Sequence, residues 1–369
     1  MKKIIYGIPV FLMFFVLPLL SRASAPELSR AMDLTYNVQF DEAENLLNGY
    51  IAANSQDPMG YVIRGTMWDW KQLVNNMRGA LNEKILADYE RANKIAFLQW
   101  DKDQENVDKM INLGNSYLFL SKKWLDLDKT SRAGLILKKC QKHLDEAAQK
   151  DPTRYDAYMA NGIFNFYAAN IPPGMSMLAG LLGISGNEKL GVDLVLKSAD
   201  NPNLFQNHAL FVLTYMYGQT KKNYVMAQVY LDRLMAKFPG NPHFLFLKGE
   251  YAFRANEFEK SRQAFAEFEN FCSTHTCVQN YKFLMNYFLA NGYIKEGKRL
   301  EAAPYAEKAE SLNEHQYADR ESYVALYRGQ ILKAQGKMDE AKAYFQKSIA
   351  APKGNPKAKE EAANELKGM

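Results

Sequence analysis

Cysteine and histidine are scarce in this sequence, which has 3 cysteines and 5 histidines among its 369 residues. None of the histidines falls in an HExxH motif or in another pair that places two metal ligands on one helix face. A GxSxG nucleophile elbow is missing too, and the carboxylates are scattered without a recognisable catalytic pair. We therefore expect no catalytic residue, no metal site and no cofactor, and we predict that the protein is not an enzyme.

Glycine and proline are sparse, with 22 and 13 residues, whereas apolar residues make up 47% of the chain and aromatic residues 13%. The apolar share is too high for a disordered protein. The shortage of turn-forming residues favours helices over a turn-rich β fold. Charge of one sign does not dominate either, because the formal net charge is only +5. Nucleic acid is therefore a poor partner, and we expect none.

An export signal is indicated at the N-terminus. Lys2 and Lys3 precede an apolar core over 4–20, and small residues follow this core. This order predicts a signal peptide over 1–23, cleaved after Ala23, which leaves 24–369 as an exported and periplasmic protein. Loss of residues 1–23, which include Arg22, lowers the formal charge from +5 to +2. The apolar core is at the short end for a spanning helix, and an uncut signal would instead anchor the chain.

Internal repeats are visible along most of the chain. In the segment "YRGQILKAQGKMDEAKAYFQKSIAAP", small residues occur at Gly329, Ala341 and Ser348, and Phe345 lies between the last two. Gly336 separates two amphipathic stretches. This pattern predicts a helical hairpin, in which small residues lie where two helices cross closely and an aromatic ring fills the space beside them.

The spacing resembles the tetratricopeptide repeat (TPR) family. The stretch "GKMDEAKAYFQKSI" is close to that family's second helix, and "NLGNSYLFL" carries its first-helix positions as Leu113, Gly114 and Tyr117. The resemblance covers most of 27–350. It implies an all-α fold, a right-handed α-solenoid of five to seven stacked antiparallel helix hairpins.

Other copies of the motif are weaker. The equivalent residues Gly249, Ala290 and Gly329 are 41 and 39 positions apart, which exceeds the family's usual period of about 34. Two helical patterns, around 59–74 and 84–98, have no clear pairing. The charged tail from Lys353 is interpreted either as a polar capping helix or as a frayed end.

One hairpin departs from this pattern. Its first helix has Gly162 at the close-contact position, and its second helix has Gly191, yet residues 170–186 intervene as "NIPPGMSMLAGLLGISG". We predict an uncharged insertion at the tip of this hairpin. Ser185 and Glu188 form an S-x-x-E capping box that is predicted to start the second helix.

Two functions of the insertion are disfavoured. A phosphate loop needs lysine after its last glycine, and here Asn187 follows Gly186. A membrane span needs about 20 residues, but Pro172 and Pro173 leave only about a dozen before Ser185. A shallow contact with a membrane surface stays open, although no basic face supports it.

The insertion supplies the candidate partner-binding residues, because soft apolar side chains suit a variable partner or ligand. Three interpretations remain: the insertion packs on the solenoid itself, it forms a partner-binding lip, or it contacts a lipid. The candidates are Pro172, Pro173, Met175, Met177, Leu178, Leu181, Leu182 and Ile184.

The cysteines divide into one single residue and one pair. Cys140 takes the small-residue position of a second helix and is expected to be a buried apolar residue. Cys272 and Cys277 bracket "STHT" between two helices, and an exported protein meets an oxidising compartment. A disulfide is the leading interpretation. Free thiols and a metal site with His275 as a third ligand are the alternatives.

The function follows from the resemblance. TPR-like proteins imply protein or peptide partners, which bind to the surface that stacked hairpins create. We predict a non-enzymatic exported scaffold for protein–protein interaction in cell-envelope assembly, secretion or transport. The alternative is a carrier of an apolar small molecule or lipid that uses the 170–186 insertion. The sequence favours no oligomeric state.

Overall fold

The computed structural model describes residues 26–171, Gly174, Gly180, 183–313 and 317–369. Within these residues the chain forms 17 α-helices and no strand, which confirms the predicted all-α class. The signal peptide predicted over 1–23 lies outside the described residues. The helices are α1 Pro26–Tyr36, α2 Phe40–Ala53, α3 Pro58–Val74, α4 Asn82–Asp101, α5 Val107–Asp126, α6 Thr130–Lys150, α7 Tyr158–Ala169, α8 Glu188–Ala199, α9 Gln206–Tyr215, α10 Tyr224–Lys237, α11 Pro242–Arg254, α12 Phe258–Thr274, α13 Gln279–Lys295, α14 Ala303–Ser311, α15 Ala318–Ala334, α16 Met338–Ala350 and α17 Pro356–Lys367.

Consecutive helices pair as antiparallel hairpins, because short connections return the chain along the helix just completed. Eight pairs follow one another through the described residues, from α1–α2 to α15–α16, and α17 packs against the last pair. The sequence predicted five to seven. The difference comes from the N-terminal region, where α3 and α4, whose pairing the sequence left open, form a hairpin of their own.

Capping side chains define where several first helices begin. Asp57, Asn106, Asn241 and Asn355 each accept a hydrogen bond from a backbone N–H in the first turn of the helix that follows. Three of them directly precede a proline, which is preorganised for the first helical position and has no N–H to leave unpaired there. Local sequence thus sets the starts of α3, α5, α11 and α17.

Small residues allow the two helices of a hairpin to cross closely. A Cβ added at Gly249 would lie 2.5 Å from the ring of Phe265, and one added at Gly329 would lie 2.5 Å from the ring of Phe345. Both rings are buried. The predicted arrangement of a small residue against an aromatic ring is therefore confirmed in α11–α12 and α15–α16.

The hairpin α7–α8, which carries the insertion, has a closer crossing still. A Cβ added at Gly162 would lie 2.6 Å from the carbonyl oxygen of Gly191. One added at Gly191 would lie 2.5 Å from the backbone nitrogen of Phe166. Here backbone meets backbone, so no side chain can move aside to make room.

The start of α8 differs from the sequence prediction. Asn187, rather than Ser185, caps the helix, because its side chain accepts a hydrogen bond from the Leu190 N–H at 3.0 Å. A capping residue must directly precede the first helical residue, which is Glu188, and Ser185 lies too early and is exposed. The predicted capping box is therefore wrong. Glu188 instead accepts a hydrogen bond from Asn170 at 3.3 Å, which joins the two ends of the insertion.

Buried apolar residues form two cores. The first extends from Leu28 to Tyr251, and the second extends from Leu245 to Ala362. The C-terminal tail contributes Ala358 and Ala362 of α17 to the second core, so this segment is a capping helix and is not frayed.

First helices of successive hairpins contact one another and form the inner layer of the solenoid. One run of contacts joins α1, α3, α5 and α7, and a second run joins α11, α13, α15 and α17. Side chains on these helices are the ones that can line a binding surface.

Candidate functional site

The inner side of the N-terminal half is closed by Tyr36, the last residue of α1. Its hydroxyl lies 2.8 Å from His208 Nδ1, and its carbonyl accepts a hydrogen bond from Asn241 at 2.7 Å. Its ring centroid is 4.8 Å from that of Trp70 and 5.2 Å from that of Phe238. Beside Tyr36 the first half of the solenoid therefore fills its interior with its own side chains.

Two histidines belong to this interior. His243 contacts the hydroxyl of Tyr281 through Nδ1 at 2.8 Å and the hydroxyl of Tyr215 through Nε2 at 3.0 Å. Burial lowers the pKa of both His243 and His208 to about 4. Both rings are therefore neutral at pH 7 and form hydrogen bonds inside the packed interior.

The inner layer of the C-terminal half has a different surface. We call it the aromatic–cation face, because aromatic rings of α11 and α13 lie beneath cationic side chains, and Tyr323 of α15 lies beside one of these rings. Its residues are Arg254, Tyr287, Phe288, Lys295, Arg320 and Tyr323.

The rings and cations of this face are in direct contact. The guanidinium of Arg254 lies 5.7 Å from the ring centroid of Phe288, and that of Arg320 lies 5.9 Å from that of Tyr287. The ring centroids of Tyr287 and Tyr323 are 6.5 Å apart, so this contact links α13 to α15. Cation–π contacts of this kind hold the charges over the rings.

The charges of the face are partly neutralised within the chain. Arg254 forms a 2.7 Å ion pair with Glu250 one turn earlier on α11. Lys295 is exposed at the end of α13, 4.9 Å from the ring centroid of Phe253. Burial lowers the pKa of Lys295, and the charge of Lys357 lowers it further. Tyr287 and Phe288 are buried beneath the cations, so the accessible part of the face is Tyr323 together with cations that can pair with carboxylates.

Sequence reasoning missed this face, although a signal was present. Arg254 and Lys295 each lie five positions after a close-contact residue, Gly249 and Ala290 respectively. When the repeats are aligned on these two close-contact residues, both cations fall at the same position of a first helix.

Only one of the predicted insertion residues lies within the described part of the chain. Pro172, Pro173, Met175, Met177, Leu178, Leu181 and Leu182 lie outside the described residues. Ile184 is described and is half-buried. It lies beside α6, since a Cβ added at Gly134 would be 3.6 Å from its Cδ1.

Cys272 and Cys277 are joined by a disulfide with an Sγ–Sγ distance of 2.04 Å. Bonded sulfurs cannot act as thiolate ligands, which removes the metal alternative. His275 lies between them and stacks on Phe271, with ring centroids 4.1 Å apart. Cys140 is a free and buried thiol, as predicted, and burial raises its pKa.

The part of the chain that the structure describes contains no group of three or more His, Cys, Asp or Glu side chains that could hold a metal ion. Across the same residues, no helix is both long and apolar enough to cross a membrane.

Solved structures of other proteins are similar to this chain. A chain of the APC/C hetero-tetramer Cut9–Hcn1 is similar at 13% identity and a TM-score of 0.53, over 92% of this chain and 55% of that one. Pseudomonas aeruginosa pilF is similar at 12% identity and a TM-score of 0.44, over 71% and 99% of the two chains. A tetratricopeptide repeat protein from Parabacteroides merdae shares 15% identity at a TM-score of 0.39, over 80% and 98%. Likeness at this level of identity concerns the fold alone. No curated protein matches the sequence.

Stacked hairpins with close-contact glycines define a TPR-type helical scaffold, a class suited to protein–protein interaction. The chain belongs to the Iml2/Tetratricopeptide repeat protein 39 family, whose model matches residues 110–361.

Proposed function

We propose that this chain is a non-enzymatic exported scaffold that holds a protein or peptide partner in the bacterial cell envelope, in assembly, secretion or transport. The aromatic–cation face carries the proposal, because it is a contact surface on the inner layer of a TPR-type solenoid. The N-terminal pattern of Lys2, Lys3 and the apolar core over 4–20 supports export.

The chemistry of the face suits a peptide. Tyr323 supplies aromatic contact area at a low entropic cost, and the cations over the buried rings add charge that a partner's carboxylates can meet. Tyr323 is half-buried and Lys295 is exposed, so both can be reached from outside. First-helix residues of adjacent hairpins together make one continuous surface, as Tyr287 of α13 and Tyr323 of α15 do.

Cross-linking in the native envelope, followed by mass spectrometry, tests the partner. We expect the wild-type chain to capture a reproducible partner and the double variant Arg320→Ala, Tyr323→Ala to lose it. Lys189→Ala is the matched control, because Lys189 is a cation on second helix α8 with a side chain that is 88% exposed. Equal capture by all three proteins contradicts a role for the face.

Cell fractionation tests export separately. We expect the full chain in the periplasmic fraction and the double variant Lys2→Glu, Lys3→Glu in the cytoplasm, because a signal peptide needs its basic start. A wild-type chain found only in the cytoplasm contradicts export.

The carrier alternative depends on the 170–186 insertion. Most of its apolar residues lie outside the described part of the chain, so no contact favours a lipid ligand. It stays a prediction from the sequence.

A further inference from the structure

A cavity of about 530 Å³ lies at one edge of the N-terminal half, where the first helices begin. Its walls come from elements far apart in sequence. Leu28 of α1, Ile111 of α5 and Phe205 before α9 supply apolar surface. The cavity is therefore formed by elements between α1 and the start of α9, and it is distinct from the aromatic–cation face.

Charged groups in the lining are mostly acidic. Asp57, Asp108 and Asp156 face one cation, Arg154, so the formal charge of the lining is −2. Arg154 forms ion pairs with Asp108 and with Asp156, the latter at 2.9 Å. Asp57 caps α3 and accepts a hydrogen bond from the Tyr50 hydroxyl, and no salt bridge joins it to any described residue.

Helix N-termini are positive and attract anions, but the two nearest starts are already occupied. Asp57 caps α3, and the side chain of Asn106 accepts a hydrogen bond from the N–H of Lys109 in α5. The acidic side chains therefore set the sign of the site. Among the described residues the carboxylates do not form a group that could hold a metal ion, which argues against a divalent cation.

Asn115 supplies an independent indication of a ligand. This residue is fully buried and lines the cavity, and its Nδ2 donates to the carbonyl of Asp156 at 3.1 Å. Its Oδ1 has no hydrogen-bond partner among the described residues. A buried acceptor without a donor costs free energy, and a hydrogen-bond donor bound in the cavity would remove that cost.

We propose that the cavity binds an alkyl chain that ends in a cationic nitrogen, as found in a lysine or arginine side chain or in a free diamine. The apolar wall contacts the methylene groups, and Asp57 and Asp156 attract the charge. Asn115 accepts a hydrogen bond from the nitrogen. The inference goes beyond the proposed function, since it requires neither export nor the aromatic–cation face.

Isothermal titration of the purified full chain tests the proposal with four probes. Agmatine and cadaverine represent free amines, acetyl-Gly-Arg-Gly-amide represents a partner side chain, and acetyl-Gly-Gln-Gly-amide is the neutral control. We expect cationic probes to bind at least tenfold more tightly than the glutamine peptide, with an affinity that falls as salt rises. Tighter binding of the arginine peptide identifies a partner's side chain as the source of the ligand. Tighter binding of the free amines identifies a small metabolite.

Two variants connect binding to the cavity. Asp57→Asn removes the charge, keeps the Oδ1 cap of α3 and presents an amide N–H that the Tyr50 hydroxyl can accept, so we expect a melting temperature close to the wild-type value and at least tenfold weaker binding. Asn115→Leu keeps the branched shape of the side chain but removes both the buried acceptor and the hydrogen bond to the Asp156 carbonyl, and it should weaken binding as well. Asp41→Asn, which changes an exposed aspartate outside the cavity, should bind normally. Equal affinity for the arginine and glutamine peptides, no binding of any probe at millimolar concentration, or wild-type affinity in Asp57→Asn would each overturn the proposal.

Discussion

Asp69 of α3 holds a lysine that is almost completely buried. Its carboxylate lies 3.2 Å from Nζ of Lys123, a side chain only 1% exposed, and 3.1 Å from Nζ of Lys122. Replacing one partner of a buried ion pair leaves the other charge uncompensated. We expect Asp69→Asn to lower the free energy of unfolding by about 3 kcal/mol, measured by urea denaturation.

Two further variants isolate this effect. Adding Lys123→Met to Asp69→Asn should recover at least half of the loss, because the buried charge is then gone. Asp41→Asn breaks the ion pair with Lys71, but Asp41 is 87% exposed, so a change below about 1 kcal/mol is expected. If the double variant is no more stable than Asp69→Asn, the buried charge is not the cause.

The two core histidines make stability depend on pH. Their pKa is about 4 in the folded protein and about 6.5 when unfolded, so the unfolded chain binds more protons between these values. Their contribution is complete above pH 6.5 and is lost as the pH falls toward 4. We expect the free energy of unfolding, from denaturation at successive pH values, to decrease across this window.

Glutamine variants separate the histidines from other titrating groups. His208→Gln and His243→Gln keep hydrogen-bonding side chains beside Tyr36, Tyr215 and Tyr281 but do not titrate. Each should reduce the pH slope by up to about 1.4 kcal/mol per pH unit. An unchanged slope in both variants would show that carboxylates alone cause the dependence.

At the scale of helices, the backbone contact in α7–α8 allows the sharpest test. A methyl group on Gly191 would lie 2.5 Å from the Phe166 nitrogen, so the two helices would have to separate. We expect Gly191→Ala to lower the free energy of unfolding by roughly 2–3 kcal/mol in urea. Gly49→Ala in α2 is the control, since an added Cβ there has no neighbour within 4 Å, and it should stabilise by up to about 1 kcal/mol. Similar effects of both variants contradict the close crossing.

Close-contact residues explain how much of each hairpin could be predicted. Two pairs could be predicted, because the partners lie in the same hairpin at a short sequence spacing. These pairs are Gly249 with Phe265 and Gly329 with Phe345. The cap of α8 could not be predicted, because Ser185 and Asn187 both have side chains that can cap a helix. Only the position of the first helical residue distinguishes them, and sequence patterns place helix ends poorly.

Across the whole molecule, the contacts that close the N-terminal half could not be predicted. Asn241 and Tyr36 are 205 positions apart, and His208 and Tyr36 are 172 apart. A repeat motif describes contacts between neighbouring hairpins and carries no information about such distances. The cavity beside Asp57 and Asn115 was hidden for the same reason, since separate hairpins form its walls.

These distant contacts also decide how the solenoid unfolds. In a solenoid with nearest-neighbour contacts alone, a change in α1 weakens α2 and α3 first. Here Tyr36 contacts α9 and the start of α11 directly. We therefore expect Tyr36→Ala to reduce amide hydrogen-exchange protection in α1, α9 and α11 together. The expected loss is equivalent to about 3–5 kcal/mol. Protection in α15 and α16, which belong to the second core, should stay unchanged.

The reciprocal variant tests whether the two cores are independent. Phe345 is fully buried in α16 and belongs to the second core, so Phe345→Ala should reduce protection in α15 and α16 and leave α1 and α9 unaffected. Tyr36→Phe keeps the ring and loses only the hydroxyl contact with His208, so a decrease of about 1 kcal/mol is expected in α1 and α9. Equal loss of protection over all helices in Tyr36→Ala would mean that the chain unfolds as one cooperative unit, and the two cores would then have no separate stability.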